Sequence, residues 1–189
     1  MTRHHLFATW EGGGNVPPML GVAQRLIARG HTVTVLGDPT IRDEAVRVGC
    51  RFTPWRLAPH RTTLRPEDDL IRDWETKNPL AMLRNYRDKV IVGPAPHYAA
   101  DTLTAIDAVT PDIVVSEYTL FGAFMAAQKR GLPVVGLVPN IWPMPATGAT
   151  PFGPGFLPAR SFLGHSSRTR RGAAWQAGGL NAFEELHRP

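Results

Sequence analysis

The fold is decided by one stretch of the sequence, Leu6-Phe7-Ala8-Thr9-Trp10-Glu11-Gly12-Gly13-Gly14-Asn15-Val16-Pro17-Pro18. Its apolar start is typical of a buried strand, and its three glycines let the backbone turn sharply and lie close to a ligand. The two prolines suit the first turn of a helix, where backbone N–H groups have no partner in any case. The stretch therefore predicts a strand, a tight turn and a helix in succession.

The residues that follow complete a βαβ unit. Apolar side chains recur at helical spacing between residues 19 and 27, and Arg29-Gly30 ends the helix with a cation and a glycine. The β-branched run over 32–36 is typical of a second buried strand. Because parallel sheets bind ligands beyond the carboxyl ends of their strands, we expect chemistry at the glycine turn.

The rest of the chain continues the alternation of strands and helices. We predict a helix over 41–48, an edge strand over 50–55, a charged irregular segment over 57–78 with one helical turn around 69–74, helices over 79–92 and 97–109, a buried strand over 113–116, a helix over 119–129 and a buried strand over 133–138. This order predicts an α/β fold, a Rossmann-like doubly wound parallel sheet.

Three segments define the expected domain organisation. Residues 1–138 form the Rossmann-like core, and residues 139–158, rich in proline and glycine, form a loop that is either a lid over an apolar ligand or a linker. Residues 159–189 are a basic segment with a helix over roughly 172–186. We interpret the arginines at 168–171 as the solvated start of that helix, with no nucleic acid as partner.

Composition narrows the class of protein. A chain of 189 residues can bury one sizeable core. Its single cysteine, Cys50, precludes an internal disulfide and fits a reducing cytoplasm. The polar start Met1-Thr2-Arg3-His4-His5 is unlike a signal peptide, and no apolar run is long enough to cross a membrane. We expect a cytoplasmic protein with no transmembrane segment.

Three other chemistries fit the residues poorly. The glycine turn, with Asp38 after the second strand, imitates a dinucleotide fingerprint, but Pro17 stands where the third glycine belongs. The stretch 164–168 lacks the second glycine and the preceding strand of a hydrolase nucleophile elbow. The seven histidines and the one cysteine show no metal-ligand spacing.

The sequence does resemble one family, the GT-B glycosyltransferases of the natural-product and UDP-glycosyltransferase type. The resemblance covers nearly the whole chain. It rests on the turn Gly14-Asn15-Val16-Pro17-Pro18, the run Arg29-Gly30-His31-Thr32-Val33-Thr34-Val35-Leu36, the run Thr110-Pro111-Asp112-Ile113-Val114-Val115-Ser116-Glu117, the stretch 126–135, and Leu180-Asn181-Ala182-Phe183. It implies the N-terminal, acceptor-binding half of a GT-B fold, with the chain ending before a donor domain.

The resemblance also implies candidate catalytic positions. In that family a histidine in the turn takes the proton of the acceptor hydroxyl, and an acid after the fourth strand orients it. Here Asn15 and Glu117 occupy the two positions. Asn15 orients the acceptor, caps the helix, or does both. Glu117 either acts as the base or accepts backbone N–H groups at the start of the next helix.

Acceptor-binding residues are expected in the glycine turn and at the strand ends. The candidates are Trp10, Gly13, Gly14, Trp55, Trp142 and Phe152, although each aromatic ring also fits plain packing. Together they favour an apolar, hydroxylated small molecule. We expect no cofactor bound by this chain, a UDP- or dTDP-hexose as co-substrate if a donor domain is present, and a separate donor-domain chain or a second copy as partner. The two hypotheses are an enzyme half and a non-catalytic binding domain or relic.

Overall fold

The computed structural model describes residues 1–76 and 78–140. In these residues, strands and helices alternate as the sequence predicts. The strands are β1 His4–Ala8, β2 Thr32–Gly37, β3 Arg51–Pro54, β4 Ile113–Glu117 and β5 Val134–Leu137, and the helices are α1 Val16–Ala28, α2 Arg42–Arg47, α3 Pro79–Tyr86, α4 Ala95–Val109 and α5 Phe121–Lys129.

The five strands form one parallel sheet in the order β3-β2-β1-β4-β5. Phe7 of β1 lies opposite Val35 on one side and Val115 on the other, so β1 is central. The chain runs outward from β1 to β3 and then returns to the other side of β1 with β4. The predicted doubly wound fold is confirmed, and its switch point lies between the carboxyl ends of β1 and β4.

Alternate residues of the strands pack into two apolar layers, one on each face of the sheet. Leu6 and Val114 face the layer that contains α4 and α5, together with Tyr98 and Ala123. Phe7 and its neighbours face the layer that contains α1 and α2. This alternation follows from the two-residue period of a strand, and it explains why the central strands are apolar on both faces.

Two predicted elements are divided differently in the structure. The helix expected over 79–92 ends at Tyr86 and continues as a wide π-helical turn, Arg87–Ile91. A Cβ atom at Gly93 would lie 1.9 Å from the carbonyl oxygen of Asp88, so this path of the backbone requires glycine. The segment 57–78 contains two short 3₁₀ turns, Pro66–Asp68 and Asp73–Glu75, instead of the single turn expected around 69–74.

The prediction that β5 is a buried strand is wrong. Val135 is 51% exposed, and every residue of β5 is at least partly accessible. Among the described residues, β5 pairs with β4 and has no strand on its other side. The sequence of β5 is apolar, as in a buried strand, but in the described part of the chain β5 is an open edge of the sheet.

Most of the two C-terminal segments predicted from the sequence lies outside the described residues. This includes the proline-rich loop beyond Asn140 and the basic segment with its helix. Within the described residues, no helix combines the length and the apolar character needed to cross a membrane.

Replacement of Gly122 by alanine tests the close crossing of α4 and α5. A Cβ atom at Gly122 would lie 2.2 Å from the carbonyl oxygen of Ala95, a backbone atom that cannot move away cheaply. We expect Gly122→Ala to lower the free energy of unfolding by about 3 kcal/mol in urea titrations. Gly21→Ala is the matched control, because nothing lies within 4 Å of its Cβ position in α1. It should raise stability by about 0.5–1 kcal/mol, and equal effects of the two substitutions would contradict the crossing.

Candidate functional site

The glycine turn after β1 is closed by its own side chains. Asn15 is 3% exposed; its Oδ1 accepts the N–H of Gly12 at 3.0 Å, and its Nδ2 donates to the carbonyl of Trp10 at 2.7 Å. The N–H of Gly13 donates to the Glu11 carboxylate at 2.9 Å. Two of the N–H groups that a dinucleotide fingerprint would offer to a diphosphate, those of Gly12 and Gly13, are therefore used within the protein.

The prediction that the Asn15 side chain caps α1 is wrong. Asn15 occupies the residue before the helix, but its side chain makes no hydrogen bond to the first turn of α1. Both of its polar atoms bind the glycine turn instead. Asn15 thus fixes the shape of the turn that precedes the helix.

Glu117 is held at the carboxyl end of β4, across the switch point from Trp10. Its side chain is buried, and Oε2 accepts the indole N–H of Trp10 at 3.3 Å and the N–H of Thr119 at 3.0 Å. The Thr119 hydroxyl donates to the same oxygen. Burial raises the pKa of Glu117, while these donors act in the opposite direction. The predicted contact with backbone N–H groups before the next helix is confirmed for one such group, that of Thr119, and α5 starts at Phe121.

The two tryptophans predicted near the strand ends are part of the core. Trp10 is 4% exposed and meets Tyr86 edge to face, with ring centroids 6.4 Å apart. Trp55 is 1% exposed, donates its indole N–H to the carbonyl of Thr9 at 2.9 Å and packs edge to face on Tyr98. Contact of either ring with an acceptor stays a prediction.

The glycine candidates differ in their surroundings. Gly13 has a φ of +90°, which favours glycine, and its Cβ position borders open space. The Cβ position of Gly14 is in ordinary contact, 3.6 Å from Oδ1 of Asn140. Trp142 and Phe152 lie outside the described residues. Gly13 is therefore the candidate whose surroundings leave most room for a ligand.

Asp38 has a structural role that the sequence did not reveal. It is fully buried at the end of β2, where Oδ2 accepts the N–H of Glu11 at 3.0 Å and the N–H of Arg61 at 3.2 Å. Its other carboxylate oxygen, Oδ1, is buried and makes no hydrogen bond with the described residues. Burial raises the pKa of Asp38 to about 6. Oδ2 thus joins the glycine turn to the loop after β3, and it is not free for a ribose hydroxyl.

Asp101 and Tyr98 of α4 hold the same loop from the other side. Asp101 Oδ2 accepts three successive N–H groups, those of residues 56, 57 and 58, at 2.8, 2.9 and 3.0 Å. The Tyr98 hydroxyl donates to the carbonyl of Pro59 at 2.9 Å. Asp101 lies on the buried face of α4 with Tyr98 and Ala105. A charged residue on the apolar face of a predicted helix was the signal that could have identified it.

Metal chemistry receives no support in the part of the chain that the structure describes. There, no three histidine, cysteine or carboxylate side chains are grouped so that they could hold a metal ion. The polar groups at the carboxyl ends of the strands are held mainly by backbone N–H and side-chain donors.

Similar sequences are found among enzymes of antibiotic biosynthesis. The chain is 29% identical over 164 residues to 4'-demethylrebeccamycin synthase of Lentzea aerocolonigenes, covering 87% of this chain and 39% of that protein. It is 31% identical over 134 residues to the oleandomycin glycosyltransferase of Streptomyces antibioticus, covering 68% of this chain and 27% of the relative. The chain thus spans between about a quarter and two fifths of these relatives. No family model matches it.

The structure is also similar to solved glycosyltransferases. The glycosyltransferase of kitacinnamycin aligns with 76% of this chain and 32% of its own, with a TM-score of 0.57 and 20% sequence identity, which supports the fold. Fold and relatives together show that this chain is similar to the GT-B glycosyltransferases over part of their length. Within that class the similarity is to the natural-product and UDP-glycosyltransferase type, and the chain corresponds to the Rossmann-like N-terminal half. The resemblance identified from the sequence is confirmed.

The pKa of Asp38 predicts a pH dependence of stability. An unfolded aspartate titrates near 3.9, whereas the folded value is about 6. Between these values the folded state keeps a proton that the unfolded state has lost, so the free energy of unfolding falls as pH rises. In Asp38→Asn the site is neutral at every pH. Urea titrations give the unfolding free energy of the unaltered protein and of Asp38→Asn at each pH. We expect the first value minus the second to fall by about 2–3 kcal/mol between pH 4 and pH 7. A flat difference would contradict the burial of this carboxyl.

Proposed function

We propose that this chain is the acceptor-binding half of an inverting glycosyltransferase. The complete enzyme would move a hexose from a UDP- or dTDP-sugar to a hydroxyl of an apolar lipid or natural product. The donor domain would come from further sequence, from a separate chain or from another copy. Without a donor domain, the chain would bind the acceptor and transfer nothing.

The glycine turn carries this proposal. A half that held the nucleotide would present backbone N–H groups to a diphosphate. Here the N–H groups of residues 11, 12 and 13 donate to Asp38, Asn15 and Glu11. This turn is shaped by closed contacts and borders open space at Gly13, which suits a neutral ligand lying against it better than a phosphate.

Exposed apolar side chains support an apolar acceptor. They lie on the segment between β3 and α4. The first residues of this segment are bonded to Asp38, which follows β2, and to Asp101 of α4. We propose this segment as the surface that an apolar acceptor would cover. Its exposed apolar side chains are Leu57, Leu64, Trp74 and Met82.

Within this proposal Asn15 and Glu117 are positioning residues. Asn15 keeps the turn in the form that leaves Gly13 beside open space. Glu117 holds the Trp10 ring, which lies so close to Gly12 that a Cβ atom there would be 2.8 Å from the indole. An amide is not a base at neutral pH, so Asn15 does not replace the histidine of the family in proton transfer.

Asn15 also favours a second candidate function, a binding domain without catalysis. An amide is not a base, and each polar atom of Asn15 already makes one hydrogen bond inside the turn, so the position at which the family carries its base contains no base. A protein that binds the same apolar molecules and transfers no sugar would need nothing more. Transfer and binding measurements separate the two candidates.

A transfer assay tests the first candidate. We expect the 189-residue chain to give no product with UDP- and dTDP-sugars and apolar hydroxylated acceptors, and to give product when a donor domain from a related enzyme is added. The anomeric proton coupling of the product should show inversion relative to the donor sugar. Acceptor binding by calorimetry without turnover in the mixture would support the binding domain instead.

Substitution at Leu64 tests the apolar surface. This side chain is 67% exposed in the unliganded protein. If an acceptor covers it, Leu64→Ser should weaken acceptor binding by about 1–2 kcal/mol, roughly a factor of 5 to 30. Val46→Ser is the matched control, since Val46 is 56% exposed on α2, away from this segment. Equal affinities of the two variants would show that the acceptor lies elsewhere.

A further inference from the structure

The loop from residue 56 to residue 61 is held at every position by named contacts. Its first three N–H groups bind Asp101, the carbonyl of Pro59 accepts the Tyr98 hydroxyl, and the N–H of Arg61 binds Asp38. Surface loops ordinarily lack buried carboxylate partners at both ends. His60 lies within this loop, between Pro59 and Arg61, and its ring is bonded to the carbonyl of Ala58.

The His60 ring is fixed in one tautomer. Its Nδ1 lies 2.8 Å from the carbonyl oxygen of Ala58. A carbonyl oxygen only accepts hydrogen bonds, so Nδ1 carries the proton and the neutral ring has its lone pair on Nε2. Nε2 makes no hydrogen bond within the part of the chain that the structure describes, and the ring is half-buried. His60 therefore presents an unprotonated nitrogen from an oriented ring.

The position of His60 is set relative to the glycine turn by a single atom. Asp38 Oδ2 accepts N–H groups both from Glu11, in the turn, and from Arg61, the residue after His60. The two peptides are therefore held within 3.2 Å of one oxygen. An electrostatic effect of His60 is among the causes that lower the pKa of Asp38, as expected for a histidine and a carboxylate that lie near each other.

Asp38 and His60 thus form a carboxylate and a neighbouring histidine at the carboxyl ends of the strands. They lie at other positions than the histidine and acid of the family. At the family positions, Asn15 and Glu117 do not bond to each other, because Asn15 binds the turn and Glu117 binds Trp10 and Thr119. Resting on the proposed function, we propose that His60 is the general base that removes the acceptor's proton, and that Asp38 is its positioning carboxylate.

The chemical step balances with these groups. The acceptor O–H bond breaks, its proton passes to His60 Nε2, and the acceptor oxygen forms a bond to the anomeric carbon of the sugar. The bond from that carbon to the diphosphate oxygen breaks, and the nucleoside diphosphate leaves with the electron pair. The resulting imidazolium keeps its Nδ1 proton on Ala58 and is stabilised by the charge of Asp38.

Kinetics with matched histidine variants test this role. Both proteins are assayed with the donor domain added. Relative to the unaltered chain, we expect His60→Gln to have a kcat lower by about 10²–10⁴-fold, with little change in KM for the acceptor. The control is His97→Gln, because His97 is an exposed histidine near the start of α4 and should leave kcat unchanged. His60→Ala should regain turnover when free imidazole is added, which a structural role would not produce.

The pH profile separates His60 from Glu117. Turnover of the unaltered protein should fall on the acid side as the base is protonated, and this limb should be absent from the residual activity of His60→Gln. Glu117→Gln should retain the limb, because its amide oxygen can still accept from Trp10. Turnover by His60→Gln equal to that of His97→Gln would overturn the proposal while leaving the proposed function intact.

A measurement on the chain itself covers the case in which a variant fails to fold. Long-range ¹H–¹⁵N spectra of the unaltered chain should show His60 with a protonated Nδ1 and an unprotonated Nε2, and acceptor should shift the Nε2 signal more than the signals of His97. The opposite tautomer, or an Nε2 signal indifferent to bound acceptor, would overturn the role of His60. Failure of the unaltered protein to transfer sugar with any donor domain would reject the proposed function, and this proposal with it.

Discussion

One oxygen atom, Oδ2 of Asp38, joins the two loops on which the site depends. It accepts from the glycine turn after β1 and from the loop after β3, so the two loops cannot move apart without breaking a buried charge-assisted hydrogen bond. The sheet supplies the place for this contact, because the parallel order brings the carboxyl ends of β1 and β2 side by side. Burial of the carboxyl is unfavourable in itself, as its raised pKa shows.

The switch point between β1 and β4 keeps the backbone plan of the glycosyltransferase family and changes its polar partners. Glu117, which the resemblance predicts to be the orienting acid, makes its hydrogen bonds to Trp10 and Thr119. Asn15, at the position where the resemblance predicts the histidine, is bound to the turn that carries it. The consequence is a closed turn, with His60 on a neighbouring loop.

The sequence predicted the elements well because their signals are local. Apolar periodicity marks β1 and α1, and the left-handed Gly30 and Gly49 end their helices as expected. The site was harder, because its contacts join residues far apart in the chain: Arg61 lies 23 residues from Asp38, and Trp10 lies 107 residues from Glu117. Likewise, the apolar run of β5 gave no sign that this strand is accessible in the described part of the sheet.

Three carboxylates are buried in this region, those of Asp38, Asp101 and Glu117. They are held by peptide N–H groups and neutral side-chain donors. Within the described residues, none of them forms an ion pair with a lysine or an arginine. Mobile ions screen exposed pairs such as Arg130–Asp107, whose side chains are 38% and 56% exposed. Mobile ions have little access to a carboxylate oxygen that is enclosed by amide groups. The surface of this domain therefore responds to ionic strength, whereas the geometry at the ends of its strands is insulated from it.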